Sequence, residues 1–120
     1  MKIENTKAQM RKGVLELCIL SLLKAKPAYA SDLIFELKKA EIIVVEGTLY
    51  PLLTRLKNAG LLTYQWEESS SGPPRKYYSL SPQGEEALQE LAASWQQMIA
   101  AVNGTLAQAQ NNDPNSKNKQ

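Results

Sequence analysis

The residues of this sequence that could do chemistry with a partner are hydrogen-bonding and cationic groups in two short segments. In the segment GTLYPLLTRLKNAG, Thr54 and Asn58 carry a hydroxyl and an amide that donate and accept hydrogen bonds. In the segment RKYYSL, Arg75 and Lys76 are adjacent cations that follow a Gly/Pro-rich stretch. Groups of these types bind an anionic, hydrogen-bonding surface, and none of them is an activated nucleophile.

The residue types that most enzymes use are largely missing. Cys18 is the single cysteine and the chain has no His, which excludes an intrachain disulfide, an ordinary zinc site and a histidine general base. The sequence also shows no clustered carboxylate pair, phosphate-binding glycine loop or metal-ligand set. It therefore predicts a protein that is not an enzyme and has no cofactor, with Cys18 as inert core.

Two helices are predicted before residue 40. The segment Lys7–Ala25 is apolar on nearly every side around Val14–Leu23, which indicates a helix buried by more than one partner and ended by Pro27. Ser31 is predicted to be the N-cap of a short second helix, with Asp32 as its first-turn acid. A turn is expected over residues 40–45.

A third helix is predicted from the spacing of leucines. Leu49, Leu52, Leu53 and Leu56 recur at i, i+3, i+4 and i+7, so they form one buried stripe. Since Pro51 lacks an N–H and fits best in a first turn, the helix should begin near residue 47 or 48. Gly60 predicts its C-terminal end.

Beyond Gly60 the period changes to that of strands. Leu62, Tyr64 and Trp66 alternate with polar residues, RKYYSL supplies a second strand, and SSSGPP forms the turn between them. Ser81 followed by Pro82 predicts an N-cap and first position of a long helix. An apolar stripe on that helix indicates that it packs on another helix; its residues are Leu88, Leu91, Trp95, Met98 and Val102.

Three helices followed by a β-hairpin are the signature of a winged helix-turn-helix, whose third helix enters the DNA major groove. The predicted fold class is α+β, mainly α, with a winged helix-turn-helix in residues 1–80. A C-terminal dimerisation helix is predicted over residues 81–110 and a disordered tail over residues 111–120. Thr54 and Asn58 would face base edges, and Arg75 and Lys76 would face phosphates.

Plainer interpretations of the same residues stay open. Any amphipathic surface helix carries Thr, Arg and Asn outside. Basic residues on an edge strand also prevent aggregation. The net charge is only +2, with a basic bias of +4 in residues 1–60 against −2 in residues 61–120. The longest apolar run is too short for a membrane span, so a cytoplasmic location without a membrane partner is expected.

The segments Gly47–Leu56, Ala59–Leu62 and Arg75–Leu80, together with Gly84, resemble the PadR family of bacterial transcriptional regulators, over about residues 10–95. The single C-terminal helix is similar to that of the small subfamily. The resemblance implies a homodimeric repressor whose first and last helices form the dimer. The DNA-binding residues then predicted are Ser31, Gly47, Thr48, Tyr50, Pro51, Thr54, Arg55, Asn58, Arg75 and Lys76.

The resemblance also implies a ligand site between the subunits. In some small PadR-like regulators a Trp at the position of Trp95 stacks on flat aromatic ligands, and a carboxylate at Glu16 would attract cations. The plainer alternatives are a core tryptophan and an exposed pairing of Glu16 with Lys12. The predicted set for a planar hydrophobic molecule is Met10, Gly13, Glu16, Leu17, Trp95 and Ile99.

The leading hypothesis is a dimeric repressor on an inverted-repeat operator, released by an aromatic ligand. The rival is a winged-helix adaptor that binds proteins and no DNA, which the weak net charge favours.

Overall fold

A computed structural model describes residues 2–112 and 114 of the 120-residue chain. Within this part, four helices and three strands confirm the predicted winged helix-turn-helix with a long C-terminal helix. In chain order they are α1 (Ile3–Ala25), β1 (Ala28–Tyr29), α2 (Ala30–Lys39), α3 (Glu46–Asn58), β2 (Leu62–Glu67), β3 (Arg75–Leu80) and α4 (Pro82–Asn111).

The core of the N-terminal part is built from the apolar faces of the first three helices and the sheet. Ile19 and Leu20 of α1 are fully buried, and so are Leu49 and Leu53 of α3. The leucine spacing therefore predicts the inner face of α3 correctly, because a 3.6-residue period places these side chains on one side. From the sheet, the buried Tyr78 of β3 packs into the same core.

The beginnings of all three N-terminal helices differ from prediction. α1 begins four residues earlier than Lys7, at Ile3, and Glu4 lies in its first turn, where a carboxylate favours the helix. Tyr29 is the N-cap of α2, and Ser31 lies inside the helix instead of capping it. The physical reason is the carboxylate of Asp32, whose Oδ2 accepts the backbone N–H of Tyr29 at 3.0 Å.

α3 also starts before its predicted position. The carbonyl of Val45 accepts the N–H groups of Thr48 and Leu49 at 3.0 Å each, so the first turn forms ahead of Gly47. Pro51 consequently lies in the second turn and costs one internal hydrogen bond. The predicted end is confirmed: Gly60 has a φ of 82°, the left-handed conformation that glycine adopts most readily at a helix C-terminus.

The hairpin is joined by a third strand that the sequence did not predict. The sheet is antiparallel with the order β1-β3-β2, and Trp66 pairs with Lys76 across the hairpin. β1 pairs its two residues with Tyr77 and Tyr78 of β3. A strand of two residues is too short to show a periodicity, so β1 could not be predicted from the sequence.

The start of α4 is locked to the end of α3. As predicted, the hydroxyl of Ser81 caps the helix: it accepts the N–H of Gly84 at 3.0 Å and donates to the carbonyl of Gly60 at 2.6 Å. Gly84 is buried against the backbone of Leu61, where a Cβ would lie 2.1 Å from the carbonyl oxygen. Leu88 packs against the core, so it does not belong to the exposed part of its predicted stripe.

The chain forms two compact units, one ending at Leu88 and the other beginning at Gln89. In the second unit, the rest of α4 carries a row of exposed apolar side chains, here called the distal stripe; its members are Leu91, Trp95, Met98, Val102 and Leu106. The disordered tail predicted over residues 111–120 begins one residue too early, because Asn111 still belongs to α4; residues 113 and 115–120 of that tail lie outside the described residues.

Candidate nucleic-acid interface

The outward face of α3 carries the predicted reading groups. Tyr50 is 47% exposed, and Pro51, Thr54 and Asn58 are exposed as well. Gly47 is exposed and has open space where a Cβ would stand. The buried leucines hold this face away from the core, so its hydroxyl and amide groups are accessible to a partner.

Arg75 lies over the beginning of α2. Its guanidinium carbon is 3.9 Å from the centre of the Tyr29 ring, and its Nη1 donates to the hydroxyl of Ser31 at 3.4 Å. The structure therefore brings together two residues predicted separately, one on the hairpin and one on α2. A guanidinium has five N–H donors, and the bond to Ser31 engages one of them.

Lys76 lies on the face of the hairpin that carries two aromatic rings. Its ammonium is 4.6 Å from the centre of the Tyr64 ring and 5.4 Å from that of Trp66. These rings meet edge to face at 5.8 Å. Lys57 of α3 also reaches the Tyr64 ring, at 5.7 Å. Cation–π contacts of this kind hold a flexible ammonium in one region while leaving its donors free.

One groove joins these elements. It has a volume of about 430 Å³ and lies between the beginning of α2, the outer face of α3 and the hairpin. Half of the predicted DNA-binding residues line it: Ser31, Tyr50, Thr54, Arg75 and Lys76. A smaller recess of about 100 Å³ adds Asn58 beside Thr54 and Lys76.

The charges around the groove favour an anion. Arg75 and Lys76 line it, and Glu46 is the one acidic residue among its described lining. The ring of Tyr78 forms part of the floor. Burial, followed by the neighbouring Tyr50 and Tyr64, raises the pKa of Tyr78, so its hydroxyl stays neutral at physiological pH.

The remaining predicted DNA-binding residues lie outside the groove. Gly47, Thr48 and Pro51 are in the first half of α3. Arg55 forms an ion pair with Glu16 of α1, which joins a residue predicted for DNA to one predicted for a ligand. The alternative pairing of Glu16 with Lys12 is therefore wrong. Because Glu16 is paired with a cation, its carboxylate attracts a cationic ligand less strongly.

The predicted ligand set is divided between the two units. In the first unit, Met10 is 69% exposed, Gly13 has open space beside it, and Leu17 is half-buried. In the second unit, Trp95 is 36% exposed and Ile99 is half-buried. Cys18 is partly buried and packs against the core, and this burial raises the pKa of its thiol, which makes it a weaker nucleophile at neutral pH.

Six residues of the described groove lining are absent from the predicted DNA-binding set, and two of them, Tyr29 and Trp66, contact its cations. Tyr29 lies two residues after Pro27, and only the pairing of β1 with β3 shows that it lies next to the wing. Trp66 fits the alternation that predicted β2, but the alternation alone did not show that its face of the hairpin lines the groove.

Within the part of the chain that the structure describes, no three His, Cys, Asp or Glu side chains are grouped so that they could hold a metal ion. A search of the same residues finds no helix with the length and apolarity of a membrane span.

The fold and the groove define a winged-helix protein with a recognition helix and a basic wing. Residues 19–90 match the PadR-like family of transcriptional regulators, and the chain belongs to that family. It is 62% identical to a PadR-like transcription factor from Bacteroides fragilis, with 84% of this chain and 98% of that one covered and a TM-score of 0.71.

Two further solved structures are similar. A PadR family transcriptional regulator from Eggerthella lenta is 35% identical, with 87% of this chain and 91% of that one covered and a TM-score of 0.80. A PadR-like transcriptional regulator from Bacillus cereus is 40% identical, with 82% of this chain and 96% of that one covered and a TM-score of 0.72. All three relatives are transcription factors or transcriptional regulators by name.

Proposed function

We propose that this protein is a cytoplasmic, non-enzymatic repressor that binds an inverted-repeat DNA operator as a homodimer. The observation that carries the proposal is the groove in which Thr54 and Tyr50 of α3 face Arg75 and Lys76 of the wing. A duplex presents hydrogen-bonding base edges next to phosphates, so an interface needs reading groups and cations at neighbouring positions.

In this proposal the residues divide into readers and anchors. Thr54 and Asn58 donate to and accept from base edges in the major groove, and Tyr50 stands beside them. Lys76, Arg75 and Ser31 bind phosphates. The first turns of α3 at Gly47, Thr48 and Pro51 lie close to the backbone of the duplex. Arg55 binds a phosphate only if its ion pair with Glu16 breaks.

The homodimer is proposed from the distal stripe. Met98, Val102 and Leu106 are each more than half exposed on one side of α4, and such a row of apolar groups is stabilised by a second helix. A second copy of this chain supplies an identical stripe. A two-fold dimer then presents two α3 helices to successive turns of one face of the duplex.

We expect footprinting on the DNA upstream of the protein's own gene and its neighbours to show a two-fold site. The half-sites should be about one helical turn, roughly 10 base pairs, apart, because the two readers are related by the dimer axis. Protection of a site without two-fold symmetry contradicts the dimeric arrangement. Absence of binding to any of these fragments contradicts the DNA function and favours the protein adaptor.

Two variants, compared with the parent in a mobility-shift assay at several salt concentrations, test the roles of the groove residues. Lys76→Ala should weaken binding to all sequences alike and reduce the salt slope by about 1 for each phosphate that is no longer neutralised. Thr54→Ala should alter base preference and leave the salt slope nearly unchanged, since it removes no charge. If neither variant changes the mobility shift at any salt concentration, the groove is not the DNA interface.

We further propose that a planar hydrophobic molecule releases the repressor by binding at the dimer interface. Partial exposure of Trp95 and the open space at Gly13, each within its own unit, support this proposal. The pairing of Glu16 with Arg55 removes the argument that the molecule should be cationic.

A calorimetric titration with a panel of planar dyes tests the ligand proposal. We expect binding to the parent protein and about tenfold weaker binding to Trp95→Ala, because ring stacking adds roughly 1 kcal/mol to the burial of apolar area. Equal affinities for the two proteins, or no heat with either at micromolar concentration, would leave Trp95 a packing residue.

A further inference from the structure

Tyr29 is held at the junction of three elements. It ends β1, where it pairs with Tyr77 of β3, and it is the N-cap of α2. Its backbone N–H donates to Oδ2 of Asp32 at 3.0 Å. Because strand pairing and helix capping both act on its backbone, the Cα and Cβ atoms of Tyr29 are held beside β3.

The ring of Tyr29 contacts two side chains of β3. Arg75 places its guanidinium carbon 3.9 Å from the ring centre, a close cation–π contact. Tyr77 lies with its ring centre 4.8 Å away at an interplanar angle of 52°. The Tyr29 ring therefore packs against the Tyr77 ring and also contacts the guanidinium of Arg75.

Arg75 needs such support because it directly follows the turn of the hairpin. Its side chain is exposed and has many rotamers, and the turn residues before it are Ser, Gly and Pro. Stacking uses the flat face of the guanidinium and leaves its edges free. The bond to Ser31 takes one donor, so the other N–H groups remain for an anion.

We propose that Tyr29 is a positioning residue that holds Arg75 in place to bind a phosphate of the DNA backbone. Tyr29 acts through Arg75 and does not itself touch the DNA. This inference rests on the proposed DNA-binding function. It assigns a role to a residue that the DNA-binding set predicted from the sequence leaves out.

The test is a double-mutant cycle on the full-length protein with its operator fragment, read by fluorescence anisotropy at several salt concentrations. We expect Tyr29→Leu and Arg75→Ala each to weaken binding roughly five- to tenfold and to lower the salt slope by about 1 per protomer. Once Arg75 is alanine, Tyr29→Leu should have no further effect, since the two residues act as one unit.

Conservative variants separate positioning from folding. Tyr29→Phe keeps the ring and should bind like the parent. Arg75→Lys keeps the charge but loses the flat stacking face, so it should bind more weakly than the parent and be indifferent to Tyr29→Leu. Phe35→Leu is the matched control, because it removes an exposed α2 ring that contacts Lys39 and does not line the groove, so it should leave the salt slope unchanged. Thermal unfolding of every variant reports the fold.

Each outcome decides a different point. If the parent protein binds no DNA, the proposed function fails. If the parent binds and Tyr29→Leu binds equally well, Tyr29 does not position Arg75. If Tyr29→Leu weakens binding equally with and without Arg75, it acts independently of Arg75 and the inference is overturned. Should Tyr29→Leu fail to fold, a loss of affinity in Arg75→Lys with Tyr29→Phe unchanged supports the inference, and parent-like binding by Arg75→Lys contradicts it.

Discussion

The double substitution Met98→Glu with Val102→Glu is expected to separate the proposed dimer and to weaken binding to the proposed operator by about a hundredfold or more. The two side chains are 55% and 54% exposed in the distal stripe of the single chain. If a second copy covers them, two carboxylates in each protomer are buried without partners, which strongly opposes association. A monomer then loses the gain that comes from binding two half-sites with one molecule, typically 10²- to 10⁴-fold.

The matched control adds the same charge to the opposite side of the helix. Gln97→Glu with Ala100→Glu changes two exposed residues of α4 and should leave both the dimer and the operator affinity nearly unchanged. Sedimentation and anisotropy measure the two quantities on the same samples. A dimer that persists with glutamate at Met98 and Val102, or a monomer with undiminished operator affinity, would contradict the proposed assembly.

Deletion of α4 from Ser81 onward makes a poorer test. Ser81 caps the helix and bonds Gly60, and Gly84 and Leu88 belong to the packing of the first unit. Loss of DNA binding after that deletion would therefore report damage to the winged helix as much as loss of the dimer. The substitutions on the distal stripe leave these contacts in place.

The local elements were predictable because local chemistry determines them. The leucines of α3 repeat with the helical period, the N–H of Gly60 bonds the carbonyl of Lys57, and the hydroxyl of Ser81 caps the N–H of Gly84 three positions on. The predicted beginning of α2 was wrong for the same kind of reason. Ser31 was the predicted cap, but the carboxylate of Asp32 accepts the backbone N–H of Tyr29, so Tyr29 is the cap instead.

The candidate site was only half predictable, because its partners are distant in the chain. Types and spacing identified Thr54, Arg75 and Lys76, but Arg75 meets Ser31 across 44 positions and Tyr29 through a two-residue strand. The pairing of Arg55 with Glu16 likewise depends on where α1 lies against α3. Periodicity reports which side of an element is buried, and it carries no information on which other element covers that side.

Gly84→Ala is expected to destabilise the protein by about 3 kcal/mol, although alanine is the best helix former and the site lies in the first turn of α4. The added Cβ would stand 2.1 Å from the carbonyl oxygen of Leu61 and 2.6 Å from Cδ1 of Leu80. The Leu80 side chain can rotate away. The Leu61 carbonyl cannot, because it accepts the backbone N–H of Ser81 at 3.0 Å.

The clash would disturb several hydrogen bonds at the start of α4 and not a single contact. Ser81 joins Gly60, Leu61 and Gly84 through its backbone and hydroxyl groups, so moving α4 outward would lengthen several bonds at once. A loss of about 3 kcal/mol corresponds to a fall in Tm of roughly 10 to 20 °C for a domain of this size. Calorimetry at one fixed protein concentration measures it, since the Tm of a dimer depends on concentration.

Gly104→Ala is the control on the same helix. Apart from its chain neighbours and the nearby backbone of its own helix, no heavy atom of the described residues lies within 4 Å of the position that its Cβ would take, so only helix propensity changes. That change should raise stability by up to about 1 kcal/mol, because alanine loses less backbone entropy than glycine. The two substitutions should therefore move Tm in opposite directions. A Gly84→Ala protein as stable as the parent would mean that the first turn of α4 does not pack on the Leu61 backbone, and the fixed start of the helix would then need another cause.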